Sequence, residues 1–207
     1  MIKVVFIDWN ETLSFGKFYG HLAKQNPALF RDLEQRLFHD HEEMIRPWML
    51  GRVKFEDICR VLANDSLSTS QITQHFIDGF KHLKIADSKT FALIQEIRRK
   101  GCPVLIATDH MDVFGRYAYP LHHLERFFDG YICSAEVGAF KADKDEAGRL
   151  PFFEAYRQAH GLAYPEMALI DNSVWSTDSA KSVGMWAIQI KTPQDVQAAL
   201  EEINEML

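Results

Sequence analysis

The chain has 207 residues, 47% of them apolar, and a formal net charge of −6. That suits one domain of ordinary size, or one core with a modest insertion, and excludes a disordered chain. The acidic balance argues against nucleic acid and anionic membranes as partners, since both call for basic patches.

The first predicted element is a strand in "KVVFIDWNETLS", residues 3 to 14, where the apolar run VVFI ends on Asp8. No apolar run approaches the ~20 residues of a membrane span. The first strand begins at Ile2, which leaves no room for a signal peptide, so the expected compartment is cytoplasmic. Cys59, Cys102 and Cys133 fit that expectation: they are scattered, odd in number and set among apolar residues, as buried thiols rather than a disulfide frame or zinc site.

Residues 15 to about 86 show no strand pattern but several helical ones. Leu29, Leu33, Leu37 and Met44 fall near one face; Phe55, Ile58, Cys59 and Leu62 form a second group; Ile72, Phe76, Phe80 and Leu83 form a third. Phe15, Phe18 and Tyr19 are expected to form the hinge or lid of this helical block.

From residue 87 short apolar runs alternate with helices. "DSKTFALIQEIRRKG" has a Ser or Asp cap in front and ends at Gly101, with "RRK" in its last turn. PVLIA (103–107), GYIC (130–133), MALI (167–170) and MWAIQI (185–190) read as strands buried on both faces. Between and after them, "LPFFEAYRQAHG" opens on Pro151, and "TPQDVQAALEEINEML" takes Thr192 as cap and Pro193 at its first position. Strand–helix alternation argues for a mostly parallel α/β sheet.

Ligands of such sheets bind beyond the carboxyl ends of the strands. There stand Asp8, Thr108, Ser134 and Asp171, with Lys141 seven residues past Ser134. Two acids, a hydroxyl and a lysine on one rim would bind phosphate and a divalent metal, carboxylates holding Mg²⁺ and the lysine holding phosphoryl oxygens.

These residues carry a resemblance. "VVFIDWNETLS", "VLIATDH", "SAEVGAFK" and "LIDNSVWSTDSAKSVG" are similar, in order, to the four motifs of the haloacid dehalogenase-like (HAD) superfamily of phosphohydrolases. The helical block resembles that family's C1 cap, and "LGRVKFEDI" is similar to a segment of its small sugar-phosphate phosphatases. The resemblance implies a Rossmann-like α/β core over 1–14 and 87–207 and an all-helical cap over 15–86. It implies Asp8 as nucleophile, Mg²⁺ held by Asp8, Asp171 and the main-chain carbonyl of Asn10, and a phosphoryl site of Trp9, Thr108, Asp109 and Lys141. Thr12, Asn172 and Ser173 would support these groups, and the substrate would be a small phosphorylated metabolite.

Asn10 breaks the pattern. An acid at this place protonates the leaving oxygen and then activates water; an amide cannot, and the loss costs ~10²–10⁴-fold. Acyl and aryl phosphates should suffer least. Asn172 replaces a second acid, Glu11 stands where glycine is common, and the polar loop after Lys141 is longer than usual and lies near the expected entrance. His110 is a possible substitute acid, although an ordinary loop histidine is the simpler reading.

Other readings stay open. Asn10 and Asn172 favour a catalytically silent phosphate-binding or regulatory protein. A dehalogenase would not need Asp171, and a phosphonatase would need a cap lysine, for which Lys17, Lys24, Lys54, Lys81 and Lys84 offer no distinguishing context. The histidines of "FHDHEE" and "LHHLE" lack a zinc ligand set and are expected on solvated faces. Trp9 and Trp175 are expected to wall the site. The resemblance implies that selectivity resides in cap loops.

Overall fold

A computed structural model describes residues 1–17 and 19–207. Its central sheet has five strands, β1 (Val4–Ile7), β4 (Val104–Thr108), β5 (Tyr131–Cys133), β6 (Met167–Asp171) and β7 (Trp186–Gln189), in the order β5-β4-β1-β6-β7. Every pairing is parallel, with Val5 opposite Val104 and Ala168, and Ile7 opposite Ile106 and Ile170. The chain moves outward from β1 on one side and returns to lay β6 on the other. That reversal beside β1 is where an open α/β sheet leaves a crevice.

Both faces are covered, which is why the strands read as unbroken apolar runs. On one face Val5, Ile7, Val104, Ile106 and Ile170 pack under α6 (Ser88–Arg99) and α11 (Pro193–Met206) through Ile94, Ile97, Leu200 and Ile203. On the other, Val4, Phe6, Leu105 and Leu169 meet Phe152 and Phe153 of α9 (Pro151–Ala159) and Ala180 of α10 (Val174–Ser182). The helix starts follow from their caps. Asp87 accepts from the Thr90 amide at 2.9 Å, and Thr192 and Asp195 bond each other's amides at 3.3 and 2.8 Å with Pro193 between them.

The segment between β1 and β4 is largely helical: α1 (Leu22–Gln25), α2 (Pro27–Gln35), α3 (Glu42–Met49), α4 (Phe55–Leu62) and α5 (Thr69–Lys81). The first predicted helix is split, because α2 runs into a π-helical turn at Arg36–Asp40 before α3 begins. Leu33, Leu37, Trp48, Phe55, Ile58, Leu62, Ile72, Phe76 and Phe80 are buried and continue the core.

One expectation is corrected here. The segment contains two short strands, β2 (Ser14–Phe15) and β3 (Lys84–Ile85), paired antiparallel where the chain leaves and re-enters the sheet domain. Two residues on each side give too little alternation to register as a pattern. Tyr19 is buried, donates to Glu34 at 2.6 Å and packs edge-on against Phe76. Phe15 lies in β2, and the third hinge aromatic, Phe18, lies outside the described residues. Among the described residues no helix is long and apolar enough to cross a membrane.

Candidate active site

Asp8 follows β1 and Asp171 ends β6, the neighbouring strand, so sheet register puts both carboxylates on one rim. Lys141 arrives from beyond β5. Its amide donates to Asp109 Oδ1 at 3.0 Å, which fixes the loop, and its ammonium lies between the two acids. Nζ donates to Asp8 Oδ1 at 2.5 Å, to Asp171 Oδ2 at 2.6 Å and to the Ala107 carbonyl at 3.1 Å. All three residues are buried. The other oxygen of Asp8 accepts from Thr12 Oγ1 at 3.1 Å, and that of Asp171 from the Ser173 amide at 2.8 Å.

Electrostatics in this small volume are unbalanced. Burial pushes the Asp8 carboxyl up to about 7, with Lys141 pulling against the shift and Asp171 adding to it. Burial also works against the Lys141 charge, but Asp8, Asp171 and Asp109 outweigh it and hold the ammonium above the ordinary lysine range. Burial raises Asp109 as well. Three acids thus face one cation, a site with room for further positive charge.

Thr108 closes the arrangement. It is the last residue of β4, fully buried, and among the described residues its hydroxyl has no hydrogen-bond partner. Buried polar groups are ordinarily paired, and a hydroxyl left over at the end of the strand next to β1 has the chemistry to hold an oxyanion. The donor set suits Mg²⁺: two hard carboxylates on adjacent strand ends. Among the described residues no group of three or more His, Cys, Asp or Glu side chains surrounds one point. The remaining positions would fall to a main-chain carbonyl, a phosphate oxygen and water, as Mg²⁺ tolerates.

Several expectations need correction. Ser134 does not offer its hydroxyl to the rim, because it donates to the Met49 carbonyl at 2.7 Å and accepts from the His110 amide at 3.0 Å. It ties the sheet domain to the end of α3. His110 is buried beside Phe80 and Phe114, and burial drives its imidazole down to about 4. It carries no imidazolium proton near neutrality and is a poor substitute acid. The Trp9 indole is wholly buried against Phe114 and His122, with no partner for its N–H among the described residues, so it is core rather than a wall of the rim. Of the histidines assigned to solvated faces, His122 is half-buried and contacts the Phe80 carbonyl at 2.8 Å.

Asn10 is exposed in the turn after Asp8. Glu11 adopts a left-handed φ of 55° there. Asn172 and Glu11 line a separate cavity with Gln189, away from Thr108. Ser173 caps α10, accepting from the Ser176 amide at 3.3 Å.

The main cleft, about 810 Å³, opens between α3 and the rim. Phe38, His39, Glu42, Ile45, Arg46 and Met49 form its upper wall; Asp109, Phe140, Ala142, Asp143, Ser173, Trp175 and Ser176 form its floor. Ala142 and Asp143 bring the start of the long polar loop to the entrance, while Asp145 closes the rest on itself through the Ala147 and Arg149 amides, both at 2.9 Å. Sequence reasoning missed Asp112 and Gly51. Asp112 accepts from the Trp48 indole at 2.7 Å and from the Phe55 amide at 3.3 Å, docking the helical block. Gly51, at φ +70°, lies so close to the Ala135 carbonyl that a Cβ would come within 2.0 Å of its oxygen. Neither residue carries a sequence signal, since each acts through a partner far along the chain.

No protein-family model matches the sequence, and no curated relative does. Solved structures do match. A HAD family enzyme from Bacteroides thetaiotaomicron, in complex with magnesium and inorganic phosphate, superposes with a TM-score of 0.64 at 18% identity, over 93% of this chain and 96% of that one. A HAD phosphatase from Thermococcus onnurineus matches at 0.61 and 20% over 92% and 86%. An L-2-haloacid dehalogenase matches at 0.63 and 13% over 95% and 87%. The chain has the α/β fold of the HAD-family enzymes.

Proposed function

We propose that the chain is a Mg²⁺-dependent phosphohydrolase of small phosphorylated metabolites, working through a phosphorylated Asp8 and slowed by Asn10. The carrying observation is the contact of Asp8 and Asp171 with one buried ammonium, with the orphaned hydroxyl of Thr108 at the end of the strand next to β1. Binding of magnesium and phosphate by the Bacteroides enzyme of the same fold supports the choice of ligands.

Asp8, Asp171 and the Asn10 carbonyl would hold Mg²⁺, which when bound offsets the charge of carboxylates and phosphate. Lys141 and Thr108 would hold phosphoryl oxygens, Lys141 also reducing repulsion between Asp8 and the incoming dianion. Asp8 attacks phosphorus, the ester oxygen leaves with its electron pair, and water later splits the acyl phosphate. Asp109 positions Lys141 through its amide. With Asn10 exposed and His110 neutral, no side chain named here donates a proton to the leaving oxygen. That observation also favours the second reading, a silent phosphate-binding protein.

Phosphate release from acetyl phosphate and p-nitrophenyl phosphate in Mg²⁺ tests the proposal. Turnover should vanish in Asp8→Asn and rise in Asn10→Asp, up to ~10²-fold or more where the leaving group needs a proton. Release that is undetectable in the native chain and in Asn10→Asp, with phosphate still bound, would instead establish the silent reading.

A further inference from the structure

The cleft above the rim has a composition that the phosphoryl chemistry leaves unexplained. Trp175, just after the Asp171 strand end, is 76% exposed at its edge. Phe38 and Phe140 stand half-exposed in the same cleft. Large apolar side chains left in water around a concave site mark a surface that a ligand covers. Arg46 of α3 lies over one face of the Phe140 ring, its guanidinium 4.6 Å from the centroid, and the Lys17 ammonium lies 5.5 Å over the Phe38 ring. Stacking uses the face of the guanidinium and leaves its N–H edge for an acceptor. Among the described residues Arg46 makes no ion pair, although Glu42, one turn before it on α3, and Asp143 line the same cleft.

From the hydrolase reading, on which it rests, we infer that the substrate is an aryl phosphate. Its ring lies among Trp175, Phe38 and Phe140, and an anionic substituent on that ring is read by Arg46. Asn10 favours acyl and aryl phosphates alike, and the aromatic cleft selects the aryl class between them. A ring of this kind fits the aromatic walls. A phenolate, unlike an alkoxide, leaves without being protonated, so the missing acid costs little. In the step, the bond from phosphorus to the phenolic oxygen breaks as the bond to Asp8 forms, and the phenolate carries off the electron pair. Water then attacks phosphorus, releasing inorganic phosphate, and the phenolate takes its proton from solvent. Arg46 is a specificity-determining residue in this account, and the cavity of about 810 Å³ holds a substituted ring with space to spare.

Four substrates compared in Mg²⁺ test the inference: acetyl phosphate, phenyl phosphate, 4-carboxyphenyl phosphate and benzyl phosphate. Benzyl phosphate keeps the ring but has an alkoxide leaving group. We expect kcat/KM to be about 10-fold or more higher for 4-carboxyphenyl than for phenyl phosphate, the usual reach of one charge-assisted pair. Benzyl phosphate should fall at least ~10²-fold below phenyl phosphate for want of an acid. Arg46→Gln should bring the first ratio close to one by raising KM, and Arg46→Lys should restore part of it. Trp175→Ala should raise KM for both aryl compounds. If acetyl phosphate is hydrolysed while the carboxylate gives no advantage, or benzyl phosphate equals phenyl phosphate, the aryl inference fails and the hydrolase reading stands. If none of the four is hydrolysed, both fail.

Discussion

At the scale of single residues, Thr108 and His110 stand two positions apart and are held by opposite logic. Among the described residues the buried Thr108 hydroxyl has no partner, which costs stability in the ligand-free protein; in the proposed reading a bound oxyanion supplies that partner. Thr108→Val should therefore leave the melting temperature unchanged or slightly higher, while weakening inorganic phosphate binding about 10-fold; calorimetry on both properties checks this. His110 is buried and neutral. Its pKa is about 4 in the folded chain against 6.5 for an ordinary imidazole, so the unfolded chain binds the extra proton between those values. Its contribution to stability is complete above pH 6.5 and is lost as pH falls towards 4, on the order of 3 kcal/mol. Asp8 and Asp109, both raised by burial, act in the opposite sense over this window, so the check is a difference: between pH 6.5 and 4 the denaturant midpoint of the native chain should drop relative to that of His110→Phe.

At the scale of elements, the docking of the helical block on the sheet domain decides whether the cleft exists. Ser134 grips the Met49 carbonyl at the end of α3, Asp112 grips Trp48 and Phe55, and Arg116 pairs with Glu56 at 2.6 Å. Exposed pairs such as the last contribute little. The close approach of Gly51 to Ala135 contributes specificity of placement. Gly51→Ala would meet a main-chain oxygen and must also hold a left-handed φ, so it should cost ~1–3 kcal/mol. Limited proteolysis and hydrogen exchange should report the loss as opening between α3 and α8 (Ser134–Val137), with the central strands still protected.

For the whole molecule, the balance of charge at the rim predicts how stability responds to ligands. Three acids around one lysine make a site that gains from a divalent cation and an oxyanion together. Mg²⁺ with inorganic phosphate at 100 times the dissociation constant should add about 2.7 kcal/mol. For a chain of this length that is a rise of roughly 5–10 °C in Tm. A chelator should reverse it, and Asp8→Asn should remove most of it; a shift of the same size in that variant would place the ligands elsewhere.

Much of this was legible in the chain because it is local. Unbroken apolar runs such as VVFI and MALI require a sheet buried on both faces, and a strand of that kind meets polar groups only at its rim, where Asp8 and Asp171 stand. The caps at Asp87 and Thr192 and the prolines at 151 and 193 mark helix starts by chemistry that spans three residues. Tertiary structure decided what depends on distant partners. It turned Ser134 into a tether, buried His110 beyond use as an acid, folded Trp9 into the core and paired the two residues of β2 with β3. It also set Arg46 over Phe140, ninety-four positions along. Burial and pairing are properties of the surroundings a side chain meets, and those surroundings come from segments that no local pattern can contain.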